Sequence, residues 1–176
     1  MRTLAFTAVA AVVAMSAVPA AAQSLSSPSW YGSAGFSNFS SDDTDVDLDA
    51  VTGRVGARLS PYFGAEAELS IGLGEETMVP NVDLKLNHDA AVYGVASYPI
   101  AQNVEIFGRL GYGTTELEAS GLGTTVTEHS DSWNYGVGAN YFFDGANGVR
   151  ADYTRRDFQD DSGEADVWSV SYVRRF

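Results

Sequence analysis

The chain has 176 residues, 23 acidic against 10 basic side chains, and a formal charge of −13. That balance argues against nucleic acid as a partner, because phosphate contacts need clustered Lys and Arg. Cysteine is absent, which excludes disulfides, thiolate metal sites, a thiol nucleophile and a lipid anchor on an N-terminal cysteine.

Met1, Arg2 and Thr3 form a short positive n-region, Leu4 to Val18 an apolar stretch, and Pro19 with Ala20, Ala21 and Ala22 a small-residue cleavage site before Gln23. This is the pattern of a secretory signal peptide. Residues 1–22 are therefore set apart, and 23–176 are expected to form one domain. The competing assignment, a membrane anchor helix, needs ~20 apolar residues, more than this run offers. Without Arg2 the rest of the chain carries 9 basic and 23 acidic groups, a net −14. After residue 22 no apolar run approaches spanning-helix length.

From there on apolar and polar residues alternate, the signature of strands with two unlike faces. Eight runs stand out. In 29–39, Trp30, Gly32, Ala34 and Phe36 oppose Tyr31, Ser33, Gly35 and Ser37. In 50–59, Val51, Val55, Ala57 and Leu59 oppose Thr52, Arg54, Gly56 and Arg58. In 63–73, Phe63, Ala65, Ala67, Leu69, Ile71 and Leu73 oppose Gly64, Glu66, Glu68, Ser70 and Gly72. The fourth, within 82–98, has an ambiguous face. In 103–115, Val104, Ile106, Leu110 and Tyr112 oppose Glu105, Phe107, Arg109 and Gly111. In 131–142, Trp133, Tyr135, Val137, Ala139 and Tyr141 oppose Asn134, Gly136, Gly138 and Asn140. In 148–157, Val149, Ala151 and Tyr153 oppose Arg150, Asp152 and Thr154. In 166–176, Trp168, Val170 and Tyr172 oppose Ser169, Ser171 and Val173. The connections alternate. Short turns lie at 60–62, 99–102 and 144–147, rich in Pro, Gly, Asn and Asp. Longer polar or acidic segments lie at 40–49, 74–81, 116–130 and 158–165. Such alternation fits an antiparallel up-and-down sheet with hairpins at one end and open loops at the other.

A soluble β-sandwich also alternates, and so does a lipocalin with its apolar interior. The polar face discriminates. It holds Arg54, Arg58, Glu66, Glu68, Glu105, Arg109, Arg150 and Asp152, both signs on neighbouring strands in mid-strand. These are either solvated side chains on an outer surface, or they point into a narrow closed barrel whose apolar set faces lipid. Only closure lets strands cross a bilayer, since every backbone polar group must be paired internally. Three features favour the barrel. Tight turns and long loops alternate. Trp133 and Tyr141 stand on one face eight residues apart, which at ~3.3 Å rise and ~40° tilt is roughly 20 Å, near the height of an apolar band between aromatic girdles. Trp30, Tyr112, Tyr153 and Trp168 can join those girdles. Finally, the apolar set mixes Ala, Val, Leu and Gly with aromatics, a mixture lipid tolerates better than a jigsaw core would. The expected fold is all-β, an eight-stranded antiparallel up-and-down transmembrane β-barrel.

With "FGAEAELSIG", "VEIFGRLGYG", "NYGVGANYFF" and the closing "WSVSYVRRF", residues 28–176 resemble the small OmpA/OmpX-type outer-membrane β-barrel family, often labelled porin-like. The resemblance implies a Gram-negative outer-membrane protein in contact with membrane lipid and lipopolysaccharide. It also implies that Trp168, Val170, Tyr172 and Phe176 form the C-terminal signal read by the outer-membrane assembly machinery. One position departs from the family pattern: two before the end, where an aromatic or apolar residue is usual, stands Arg174. No peptidoglycan-binding domain is expected after the barrel.

An eight-stranded barrel is just wide enough inside for side chains to fill it. Arg54, Arg58 and Arg109 with Glu66, Glu68 and Glu105 are therefore expected to plug it as ion pairs. The run Asp42–Asp49 has the wrong spacing for an EF-hand: counting from Asp43, Leu48 stands where glycine is needed and Arg54 where the carboxylate is needed. Together with Glu75, Glu76 and 157–166 it suggests acidic surface loops that solvate the rim, with divalent cations bridging to lipopolysaccharide as a functional version. "EHSD", Glu128 to Asp131, offers His129 and Ser130, but four adjacent residues in a loop do not make a triad, which converges from separate positions. His88 has no evident partner. No catalytic residue, resident metal or cofactor is expected. The leading function is a structural and surface-interaction role. The alternatives are a narrow channel for small solutes or ions, a surface hydrolase using His129 and Ser130, and a soluble lipocalin-like binder.

Overall fold

A computed structural model describes residues 28–41, 47–73, 75–79, 82–121, 124–159 and 163–176; for 75–79, 82–87, 117–121 and 124–129 it describes the backbone. The segment 1–22 lies outside the described residues, as do Asp42 to Asp45 and Asp160 and Asp161. Among the described residues nine strands follow in order: β1 (Ser29–Ser41), β2 (Asp47–Arg58), β3 (Phe63–Gly72), β4 (Glu75–Val79), β5 (Val82–Pro99), β6 (Val104–Gly121), β7 (Thr124–Phe142), β8 (Asn147–Phe158) and β9 (Glu164–Arg175). Each pairs antiparallel with its neighbours in the order β3-β2-β1-β9-β8-β7-β6-β5-β4, and β3 also pairs with β5. That last pairing closes a cylinder of eight strands. The ninth, β4, resumes along β5 where β3 leaves off: Ile71 stands opposite His88 and Glu75 opposite Lys85. β4 thus falls within 74–81, the segment the sequence assigns to an open connection, and continues the stave that β3 begins.

Closure at the chain ends is regular. Tyr31 to Ser41 pair with Arg175 to Ala165, and the Phe176 amide donates to the Trp30 carbonyl at 2.9 Å. The short connections are tight turns. In 144–147 the Asp144 Oδ1 accepts from the amides of Ala146 and Asn147 at 3.0 and 2.5 Å. Gly145 sits there at φ +83°, a conformation side chains resist. These bonds, those from Asn147 first, hold the exposed Asp144 carboxyl below the ordinary carboxylate value.

The other end differs from the sequence expectation. Residues 116–130 are not an open loop: β6 and β7 stay paired to Gly121 opposite Thr124. Beyond the Tyr112–Trp133 pair this hairpin runs nine more residues, a projection of roughly 20 Å at normal rise and tilt. β5 accompanies it, with Val82 opposite Gly121. A strand pair above a bilayer has water on both sides and needs no apolar face, so alternation does not mark it.

Alternation within the cylinder is strict: β2 reads exposed-buried over its first ten residues and β3 keeps the same period. The buried face is the polar one. Leu69, Ile71 and Val137 are 50–63% exposed, whereas Glu68 and Arg109 are 4–5% exposed. A water-soluble protein would reverse this assignment. In the fourth run the ambiguity resolves with Ala91, Tyr93 and Val95 inward and Val92 outward.

Candidate functional site

The barrel interior gathers side chains from every stave. Its floor is shaped by glycine. Inward-facing Tyr31 lies over Gly56, its cross-strand partner, so closely that a methyl group there would fall 2.2 Å from the ring. Phe107 covers Gly138 in the same way, at 2.5 Å. The absent side chains let rings lie flat against the wall and leave space for long polar groups. Guanidiniums then stack on the rings: Arg150 lies 4.1 Å from the Phe107 centroid and Arg109 lies 4.4 Å from that of Tyr93. Such stacking favours a cation most where water is excluded.

Four guanidiniums and four carboxylates interlock at mid-height. Glu68 accepts from Arg54 at 2.6 Å, Arg109 at 2.7 Å and Arg156 at 2.9 Å. Glu66 accepts from Arg150 at 2.6 Å and Arg109 at 3.2 Å. Asp152 is reached by Arg109 at 2.9 Å, Arg150 at 3.0 Å and Arg54 at 3.3 Å. Asp89 pairs with Arg156. These side chains are 0–2% exposed. Tyr31 and Tyr93 hydroxyls donate to Glu66 and Glu68, and Arg109 also donates to Thr154. Arg150 on β8 and Glu66 on β3 stand four staves apart in a ring of eight, so their bond crosses the full lumen. Charges this deep persist only when paired, because desolvating each ion costs several kcal/mol.

Above the network, Ser37 links to Thr52 and Ser169, and Thr52 to Ser70, at 2.7–2.8 Å. Phe39, Leu48, Ala50 and Val167 on β1, β2 and β9 then form an apolar cluster. Below it, Glu105 holds Arg58 on Oε1 and Arg175 on Oε2, and also accepts from Asn140 at 3.2 Å.

The structure therefore places Arg54, Glu66, Glu68, Arg109, Arg150 and Asp152 in one network, and Arg58 and Glu105 in a second, lower group. Four members escaped the sequence analysis: Asp89, Arg156, Arg175 and Tyr93. Arg156 and Arg175 share the parity of their inward strand neighbours and could have been found by counting. Asp89 and Tyr93 belong to the run whose face was ambiguous.

Outside, Trp30 and Tyr141 stand toward the tight-turn end, joined by stacked Tyr62 and Tyr98 and by Tyr172 and Phe176. Toward the far end Tyr112 meets Trp133 edge-on at 5.4 Å and Tyr153 meets Trp168 at 4.8 Å. Trp168, Val170 and Tyr172 all face outward, as does Arg174. Arg174 lies 5.7 Å from the Phe176 ring. His88 does have a neighbour, contrary to the sequence expectation: its Nδ1 is 3.8 Å from Glu116. Residues Glu128 to Asp131 lie within β7, not in a loop.

An inverted barrel with a charged lumen is the form taken by proteins that cross the bacterial outer membrane. Residues 7–176 match the family model described as the outer membrane protein beta-barrel domain. The chain belongs to that family. It is an integral outer-membrane β-barrel protein, and the tight turns are then periplasmic and the long hairpins extracellular. The outer-membrane barrel is similar in fold to three solved proteins. Ail, the attachment invasion locus protein of Yersinia pestis, was solved in complex with the heparin analogue sucrose octasulfate; it is 16% identical, over 86% of this chain and 100% of that one, with a TM-score of 0.65. Neisserial surface protein A is 12% identical over 86% and 98%, with a TM-score of 0.67. OprG of Pseudomonas aeruginosa is 10% identical over 85% and 96%, with a TM-score of 0.63. No curated protein matches the chain.

Proposed function

We propose that this outer-membrane barrel is a non-enzymatic structural and surface-interaction protein whose lumen is plugged by its own charged side chains. The mid-height network carries this reading: ion pairs reach from wall to wall between β8 and β3. An apolar cluster on β1, β2 and β9 borders it on the extracellular side. A channel needs a wet path, and conduction here would require several buried pairs to part together. Planar-bilayer recording tests the plug. The intact protein should show no reproducible open steps; steps that change with substitution at Arg109 would establish the narrow-channel alternative instead.

The work of the protein then falls to its surface. Asp47, Asp49, Asp157, Glu164 and Asp166 stand at the extracellular end, with Arg155 tied to Glu164 and Asp166. In a chain of net charge −13, these acidic loops suit cationic partners or divalent cations bridging to lipopolysaccharide, in contrast to the polyanion analogue bound by Ail. Residues 1–22 act as the export signal. Trp168, Val170, Tyr172 and Phe176 are read by the assembly machinery, and the outward aromatics anchor the barrel at both interfaces. Loss of the heat-modifiable gel band on truncating the last strand would support the assembly role.

A further inference from the structure

Among the described residues every arginine but one reaches a carboxylate. The exception is Arg174. It is exposed on the outward face of β9, between the outward aromatics Tyr172 and Phe176. Phe176 lies nearer still to the periplasm, so the cation stands within the aromatic belt and not below it. A cation at that depth needs a counter-charge or water at the headgroup level.

The surroundings of Arg174 on the barrel wall supply no anion. Asp144, in the turn at the same end, is engaged: its Oδ1 accepts from the amides of Ala146 and Asn147, and its Oδ2 from the Asn147 side chain at 2.6 Å. Asn147 stands opposite Arg174 on β8 and is held in turn by the Tyr172 hydroxyl. On the other flank, the residue opposite Arg174 on β1 is Gly32, which has no side chain. The Phe176 ring leans over it, 3.7 Å from where a Cβ would stand, and Arg174 lies 5.7 Å from the centroid of that ring. Next to Gly32, opposite Phe176, is the half-exposed Trp30, whose indole N–H has no partner among the described residues. Two adjoining staves thus present a guanidinium and an indole donor, both unspent, on one stretch of outer wall.

We propose that Arg174 holds the phosphate of a glycerophospholipid of the periplasmic leaflet, with the Trp30 indole as a second donor and the acyl chains along the β9–β1 wall. A phosphate accepts two parallel N–H bonds from one guanidinium. The leaflet sets its phosphates at the depth of the aromatic belt, at a local concentration no soluble anion reaches. Interfacial water would solvate the cation, but only a lipid joins the counter-charge to chains that cover the flanking rings. Lipopolysaccharide belongs to the opposite leaflet, at the acidic end of the barrel. The site rests on the membrane placement of the barrel and is independent of the plug.

Short-chain phosphatidylglycerol is the probe, added to the full protein in a maltoside detergent, which contains no phosphate. In native mass spectrometry the wild type should retain one lipid that Arg174→Leu does not, and the lipid should raise its thermal midpoint by a few degrees more. Affinity should fall about tenfold in Arg174→Leu, the loss of one charge-assisted contact, and less in Arg174→Lys, which keeps the charge without the fork. Leucine suits an outward strand position; Arg174→Gln replaces it if the leucine variant does not refold. Inorganic phosphate at the same concentration should leave the midpoint in place. Equal retention by wild type and the leucine or glutamine variant overturns the proposal, and so does protection by inorganic phosphate equal to that of the lipid. Detergent contains no assembly machinery, so a role of Arg174 in insertion produces neither result. Neither outcome touches the plug, which stands or falls on conductance and on substitutions at Arg109.

Discussion

The mid-height network and the periplasmic group use the same chemistry under different rules. In the network Glu68 serves three guanidiniums with side chains 0–1% exposed. At the mouth Glu105 serves two whose side chains are 22% and 34% exposed. Where water is excluded the protein matches charges one for one and binds them across the whole lumen. Where water begins to enter, it tolerates a mismatch. Buried ion pairs are weak evidence for stability, because desolvation offsets most of the attraction, but breaking one leaves an uncompensated charge. The network therefore fixes one arrangement of the interior more than it deepens the free-energy well.

The largest expected effect comes from breaking the dry side of that contrast. Glu68→Ala takes one carboxylate from Arg54, Arg109 and Arg156 at once, leaves the network with one positive charge over, and should destabilise the barrel by about 3–5 kcal/mol, read as a lower urea midpoint in detergent or lipid. An unchanged midpoint would show that the lumen is wetter than its geometry implies. Next comes the partition between lumen and lipid. Leu69→Arg, one residue along the same strand, puts a cation on the outer face and should cost about 2–4 kcal/mol near mid-bilayer. Equal stability for wild type and Leu69→Arg would contradict the outward assignment. On the wet side Glu105→Gln should cost only about 1 kcal/mol, because solvent reaches both its arginines. A loss as large as that of Glu68→Ala would erase the distinction between the two groups.

The smallest effect lies outside the membrane, at the 144–147 turn. The folded Asp144 carboxyl titrates below its ordinary value of 3.8. Its contribution is therefore fully present above that value and is lost as pH falls through the lowered folded value. Asp144→Ala should reduce stability slightly at neutral pH, and the gap to wild type should close in strong acid. A gap that persists there would mean the turn does not depend on the carboxylate.

Much of this is legible in the sequence alone. Parity alone separated Glu66 and Glu68 from Ala67 and Leu69, because a membrane strand must keep its two faces chemically distinct. The tight turns announced themselves through Pro61, Asp144 and Gly145. The extension of β6 and β7 past Thr115 did not, since above the bilayer no constraint forces apolar residues onto one parity. Nor did strand β4, which lies in the polar segment 74–81 that reads as a connection. Asp89 is hidden by an apolar run that is ambiguous by period, and only its pairing with Arg156, three staves away, marks it as a member of the network.

By itself, then, the sequence determined that the chain forms amphipathic strands, which side of each strand is polar, and that the polar sides carry both signs of charge, because those follow from a two-residue period acting locally. Only the closed cylinder decided who pairs with whom. Arg150 meets Glu66 across 84 residues of sequence, and Arg156 meets Glu68 across 88. Those meetings depend on strand tilt and on the stagger at which the sheet joins itself, properties that belong to the whole ring and to no segment of it.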